Sequence, residues 1–170
     1  MAREEVVDLV DSEDRVVGAA TLGECLERGL LHRAVAVMVS RTDGKVVLQQ
    51  RSKRDHWHPG MWTLSCTGHV KKGERYADAA SRELGEEIGV KADLKLVEKY
   101  HVPAMKENGM AEDEWVALFS AKSDAKLMID PVELEGAREV TLRELRSMLE
   151  GDSLTPDSVF LIRKYLRHQG

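Results

Sequence analysis

The sequence predicts an α+β sandwich, a mixed β-sheet packed between helices, and three observations carry that prediction. Strand-like and helix-like stretches alternate irregularly over 170 residues, with hairpins on both sides of one amphipathic helix. A nearly continuous apolar run, HRAVAVMVS from His32 to Ser40, has the composition of a strand buried on both faces. No internal repeat, low-complexity segment or linker interrupts the chain. One main domain over 30–170 is therefore expected, with a β-hairpin and short helix over 1–29 as an accessory.

Glu5–Val10 and Arg15–Ala20 read as two short strands about a turn at 11–14. Thr21 is the N-cap of a short helix, LGECLERG, and Glu24 three residues on completes a capping box. After the run from His32 to Ser40, Thr42-Asp43-Gly44 turns the chain into Lys45–Gln50, its hairpin partner. Arg51–Pro59 is basic and irregular, with Arg51, Lys53 and Arg54 gathered beside His56 and His58, so this stretch can meet a phosphate electrostatically. Met61–Cys66 reads as one strand entering a turn at Gly68. Glu74–Gly89 reads as a helix closed by Gly89 as its C′ residue, with interior Gly85 costing about 1 kcal/mol of helix propensity. Asp93–Val102 and Glu114–Ala121 read as strands separated by a loop over 103–113 that is rich in turn formers. Ala137–Val140 is a last short strand, Thr141 and Glu144 cap the next helix, and Pro156 opens a C-terminal helix ending near His168.

A net charge of −5 argues against binding a nucleic acid polymer, because that affinity rests on neutralising phosphates with Lys and Arg. An acidic protein that handles phosphates is expected to do so through metal ions. The two cysteines, Cys25 and Cys66, propose no disulfide framework. The N-terminal stretch has no signal-like apolar core, and no run approaches about 18 apolar residues, so a soluble, cytoplasmic protein without a membrane partner is expected.

Chemistry concentrates in the central helix. Glu83, Glu86 and Glu87 stand at i, i+3 and i+4 and share one face, while Ala77, Ala80, Leu84 and Ile88 form a second stripe for burial. Like charges at that spacing repel by a few tenths of a kcal/mol per pair. A divalent cation compensates directly, and Mg²⁺ (or Mn²⁺) favours carboxylates shared with substrate phosphates. Arg82 can pair with one acid and orient it.

Gly68, Glu74, Arg82-Glu83-Leu84, Glu86-Glu87, Gly89 and Val90 match every fixed position of the Nudix box, G-x5-E-x7-R-E-U-x-E-E-x-G-U with U aliphatic. The chain thus resembles the Nudix superfamily, which implies the Nudix-type α/β/α sandwich. Outside the box, LLHRAVAVMV, LQQRS and WHPGMWTLSCTGH are similar to the type I isopentenyl-diphosphate isomerase branch. Those isomerases hold one divalent ion with three histidines and an E-x-E pair. The resemblance places His32 and His69 on two histidine positions, Cys25 on the third, and Glu112 with Glu114 on the pair.

One departure divides the chain from that branch. Where the isomerases use a cysteine as catalytic acid this chain has Thr67, whose hydroxyl is a far weaker acid than a thiol, and the adjacent Cys66 should point to the opposite face of an extended chain. The box itself is complete, whereas the isomerases tend to have a degraded one. The resemblance therefore implies a metal-dependent hydrolase of a small-molecule diphosphate, a nucleoside diphosphate linked to another moiety. Glu83, Glu86 and Glu87 would hold the ion and supply the base. Arg82 would orient them, Glu74 or the Glu112/Glu114 pair would complete the shell, and Arg51, Lys53 or Lys71 would contact phosphate. Isopentenyl-diphosphate isomerase activity and a catalytically weak binding protein stay open as alternatives. Nudix proteins are often dimers, which makes the N-terminal hairpin a candidate homodimer interface.

Overall fold

The computed structural model describes residues 3–170, so Met1 and Ala2, the first residues of the expected accessory segment, lie outside the described residues. In chain order the elements are β1 (Val6–Val10), β2 (Val16–Thr21), α1 (Leu22–Arg28), β3 (His32–Ser40), β4 (Val46–Arg51), β5 (Trp62–Thr63) and β6 (Cys66–His69). They continue with α2 (Tyr76–Ile88), β7 (Lys95–Glu107), β8 (Met110–Lys122), β9 (Leu134–Val140), α3 (Leu142–Met148) and α4 (Pro156–Arg167). Among the described residues no helix is long and apolar enough to cross a membrane.

The apolar run forms the axis of a mixed sheet. β3 lies parallel to β8, from His32 opposite Glu114 to Ser40 opposite Lys122, and antiparallel to β6, from Ala34 opposite His69 to Val37 opposite Cys66. Its side chains alternate between two cores, as the strand period demands. Ala34, Ala36 and Met38 pack with Leu145 of α3 and Leu161 and Ile162 of α4. Val35, Val37 and Val39 pack with Ala80, Leu84 and Ile88 of α2. Helices cover both faces, which is why the strand shows no polar alternation. The architecture is the expected α+β sandwich.

Three local expectations are corrected. The stretch 103–113 is not a loop: β7 and β8 continue through it to a two-residue turn at Asn108 (φ 51°) and Gly109 (φ 77°), both in the left-handed region that a type I′ hairpin requires. Pro103 cannot donate to the ladder, and the pairing shifts register between Val102 and Met105, so the strand absorbs the proline as an irregularity rather than ending there. Met61–Cys66 is not one strand. Trp62 pairs with Gln50 of β4, whereas Cys66 pairs with Val37 of β3, and between them the Ser65 hydroxyl donates to the Val47 carbonyl and accepts from the Val39 amide. Finally, α2 begins at Tyr76, and its buried stripe uses Ala79 where Ala77 was expected. Glu74 instead closes the turn before the helix, its carboxylate accepting from the Lys71 amide at 2.9 Å.

The N-terminal hairpin joins this same sheet at Leu9 opposite His32 and also holds the turn that precedes α2. Lys72 N–H donates to the Val6 carbonyl at 2.9 Å and Gly73 N–H to the Asp8 carboxylate at 2.8 Å. Buried Asp14 accepts from Arg33 at 2.6 Å, from the Tyr76 hydroxyl at 2.9 Å and from Lys99 at 2.5 Å. Burial opposes its ionisation, but those three donors outweigh it and hold the carboxyl below its ordinary range. One turn residue thereby ties β3, β7 and the first residue of α2 together.

Gly85 is the weak point of α2. A Cβ built there meets nothing within 4 Å, so only the backbone entropy of glycine matters. Gly85→Ala is expected to stabilise the protein by about 1 kcal/mol, raising Tm by roughly 2–4 °C for a chain of this size. Thermal unfolding that showed no rise would contradict this account.

Candidate active site

Strand β6 organises the site because its alternating side chains face two different helix layers. Cys66 sits in the core beneath α2, and at Gly68 the missing side chain leaves room for Glu83 of α2: a Cβ there would lie 2.3 Å from Glu83 Cδ. Thr67 and His69 face the opposite layer, where His69 meets Glu112 and Glu114 of β8.

On the α2 side Arg82 is the hub. Its fork engages both oxygens of Glu74, Nε to Oε1 and an Nη to Oε2, each at 2.9 Å. The other Nη reaches Glu83 at 2.6 Å and Glu86 at 3.4 Å, and a further hydrogen bond to the His69 carbonyl at 3.1 Å anchors the group to β6. Arg82 was expected to pair with one acid and instead spans three. Glu74 was expected as an optional metal ligand, but both its oxygens are taken, and hydrogen bonding to Arg82 holds its carboxyl below the usual range.

The three carboxylates on one helix face differ in depth. The Glu86 side chain is 60% exposed, while that of Glu83 is 14% exposed. Glu87 is recessed, with the Thr67 amide donating to it at 3.4 Å. Burial, reinforced by the charge of Glu83, pushes the Glu87 carboxyl up to about 8. Burial also raises Glu83, in spite of Arg82. Three carboxylates thus share one guanidinium, Glu87 lies beyond its reach, and the two inner acids, Glu83 and Glu87, are destabilised as anions. A hard divalent cation fits that donor set, since it favours the charged form of both.

A carboxyl whose folded pKa is raised contributes stability that is complete below the unfolded value and lost as pH rises through the folded one. For Glu87 the window runs from about 4.5 to about 8. In chelator, Tm is expected to fall across that window, Mg²⁺ to reduce the fall by binding the carboxylate form, and Glu87→Gln to remove much of the slope. A Tm that rises with pH in chelator would contradict this.

On the other side of β6, the ligand atoms of His32, His69 and Glu114 all lie within 4.8 Å of one another and could hold a metal ion. His69 Nε2 stands 3.1 Å from Glu114 Oε1 and 3.7 Å from Glu112 Oε1, and His32 Nε2 stands 3.3 Å from Glu114 Oε1. His32 Nδ1 is 2.7 Å from the Leu30 carbonyl. A carbonyl only accepts, so Nδ1 carries the hydrogen and Nε2 is left facing the carboxylate, the orientation a metal-ligating histidine takes. Burial opposes charging of His69, but hydrogen bonds with Glu112 and Glu114 push it up to about 10. Burial would raise Glu114, yet His32 and His69 hold it well below the usual carboxylate range. Glu112 is pushed up to about 7 by burial and by the charge of Glu114. Cys25 lies in α1 outside this triad, its thiol pushed up to about 11 by burial and by the charges of Glu24 and Glu114.

Glu83, Glu86 and Glu87 and, across β6, His69, Glu112 and Glu114 line one cleft of about 250 Å³ together with Arg51, Lys71 and Thr67, while His32 is buried behind them. Arg51 is braced by the Trp57 carbonyl at 2.7 Å and by Asp55 at 2.5 Å, and Lys71 Nζ stands 3.5 Å from Glu5. Lys53 is not part of the cleft lining: it is exposed, and its backbone amide donates to Glu135. Cys66 is turned into the core, where burial and then the charges of Glu87 and Glu83 push its thiol well up. His58, named above in the basic stretch, lines the cleft, as do Gln49 and Asp157, two residues that were not singled out from the sequence. No spacing links them to the box, so no sequence signal marked them.

The NUDIX domain family model matches residues 30–160. An isopentenyl-diphosphate Delta-isomerase 2 of Photorhabdus laumondii is 34% identical over 146 residues, covering 86% of this chain and 82% of the relative. An uncharacterized Nudix hydrolase of Pseudomonas aeruginosa is 35% identical over 172 residues, covering 95% of this chain and 94% of the relative. Among solved structures, a Deinococcus radiodurans protein superposes with a TM-score of 0.78 at 22% identity, covering 94% of this chain and 98% of that one.

Proposed function

The chain belongs to the NUDIX domain family, and from that premise we propose that it is a metal-dependent hydrolase cleaving the diphosphate bond of a nucleoside diphosphate linked to another moiety. The observation that carries this reading is the arrangement around Arg82: Glu83 and Glu86 fixed by one guanidinium, with Glu87 recessed behind them at the same cleft. Glu83, Glu86 and Glu87 would hold Mg²⁺ or Mn²⁺. An ion held there would supply charge neutralisation to the diphosphate as its bond is cleaved. Whichever of these carboxylates stays free takes the proton of the attacking water, as the new P–O bond forms and the bridging P–O bond breaks. Arg51 and Lys71 meet phosphate oxygens as point charges and donors.

A second reading, isopentenyl-diphosphate isomerase activity, is favoured by the group of His32, His69, Glu112 and Glu114 and by the relative of that name. Against it stands position 67, where the cleft is offered a threonine hydroxyl, while the thiol of the adjacent Cys66 is buried beneath α2. The test is formation of the two phosphomonoester products from a panel of nucleoside diphosphate compounds with Mg²⁺, using Glu86→Gln and Glu87→Gln as controls. No turnover of any compound, or turnover that survives both substitutions, would refute this reading of the site. Deuterium entering isopentenyl diphosphate from solvent without phosphate release would support the second.

A further inference from the structure

We propose that His58 contacts the substrate directly, its Nε2 accepting a hydrogen bond from a hydroxyl on the half of the molecule attached to the diphosphate. This rests on the reading of the cleft as a diphosphate site, and it places that hydroxyl on a ribose, as in the nucleoside, rather than on a phosphate or a hydrocarbon chain.

His58 has a φ of 48°, a left-handed backbone that side chains with a Cβ disfavour. The following Pro59 restricts the backbone further. Something therefore holds the residue there. Its backbone N–H donates to Glu107 Oε2 at 3.1 Å, and its ring Nδ1 stands 3.1 Å from the same oxygen. Trp57 packs edge-on against the imidazole at 5.1 Å, and Asn108 donates to the His56 carbonyl at 3.3 Å. The basic loop is thus pinned onto the tip of the β7–β8 hairpin by way of this histidine.

The carboxylate accepts, so Nδ1 carries the hydrogen, and in the uncharged ring Nε2 is left as an acceptor. Nε2 is buried and has no hydrogen-bond partner among the described residues, while His58 lines the cleft. A buried acceptor without a donor is costly, and native structures seldom keep one without a use. A ligand in the cleft can supply that donor. A metal-bound diphosphate has no O–H to give, and neither has an isopentenyl chain; a ribose has two. Glu107 is the positioning residue, because it fixes which ring nitrogen carries the hydrogen.

The test uses hydrolysis-resistant probes with Mg²⁺ and titration calorimetry on the full chain: α,β-methylene-ADP, which carries ribose hydroxyls, and methylenediphosphonate, which carries none. His58→Phe keeps the ring and removes the nitrogen. It is expected to weaken the nucleoside probe about tenfold, the scale of one buried hydrogen bond, and to leave methylenediphosphonate within about twofold. Glu107→Ala should reproduce the loss and Glu107→Gln, whose amide oxygen still accepts, should restore most of it. Thermal unfolding separates this from misfolding. Equal weakening of both probes would make His58 a phosphate contact and overturn the proposal, as would no weakening of either. If wild-type protein binds neither probe, the diphosphate reading itself fails and this proposal falls with it. If methylenediphosphonate binds but the nucleoside probe gains nothing from His58, the proposal alone fails.

Discussion

Glu87→Gln is expected to lower hydrolysis of a substituted nucleoside diphosphate by about 10²–10⁴-fold, the range for removing a positioned acid–base group, while the fold becomes more stable in chelator. Glutamine has the same shape and its carbonyl oxygen can still accept from the Thr67 amide at the 3.4 Å contact. What it lacks is charge. The recessed carboxyl is pushed up to about 8, so near neutrality the folded protein already disfavours its anion. Removing that anion relieves the metal-free fold and removes what an ion or an attacking water would use. Activity and stability therefore move in opposite directions, as they do where a site is held against its own stability. Glu86→Gln should cost less, because Glu86 is the exposed member of the set and reaches Arg82 only at 3.4 Å. A Glu87→Gln protein that keeps its activity within about tenfold would locate the chemistry elsewhere.

Gly68→Ala is expected to reduce activity by up to about 10²-fold, the scale for displacing a catalytic group by an ångström, with a stability change of less than about 1 kcal/mol. The new methyl would lie 2.3 Å from Glu83 Cδ and 2.6 Å from one of its oxygens. Those atoms are the far end of a flexible side chain, so the helix need not move; Glu83 swings away. Its 2.6 Å bond to Arg82 is then lost, and the guanidinium that also fixes Glu74 and Glu86 loses one of its holds. Activity and Tm measured side by side decide the matter. A large loss of stability with unaltered turnover would mean that the glycine serves packing and not the placement of Glu83.

Much of the architecture follows from local rules. The capping boxes at Thr21/Glu24 and Thr141/Glu144 form with both reciprocal bonds. Gly89 closes α2 in the left-handed conformation, and Met128 Cβ approaches so closely that a side chain there would lie 2.7 Å from it. The β7–β8 hairpin was legible in principle, since Asn-Gly is a strong two-residue turn signal. It was hidden inside a longer stretch of turn formers whose proline argued for a break. The cleft is a different matter. His32, His69 and Glu114 come from three strands and meet because β6 and β8 flank β3 in one particular register. Nothing in the local pattern ties His58 to Glu107, which lie 49 positions apart.

The sequence by itself determined which side chains share a surface: the period of a helix places Glu83, Glu86 and Glu87 together, and an unbroken apolar run makes β3 central. Only the tertiary structure decided how deep each carboxylate lies, which donors are left without partners, and that Arg82 serves three acids at once. Periodicity is a property of one element, whereas burial, proton affinity and hydrogen-bond satisfaction depend on what the rest of the chain packs against it.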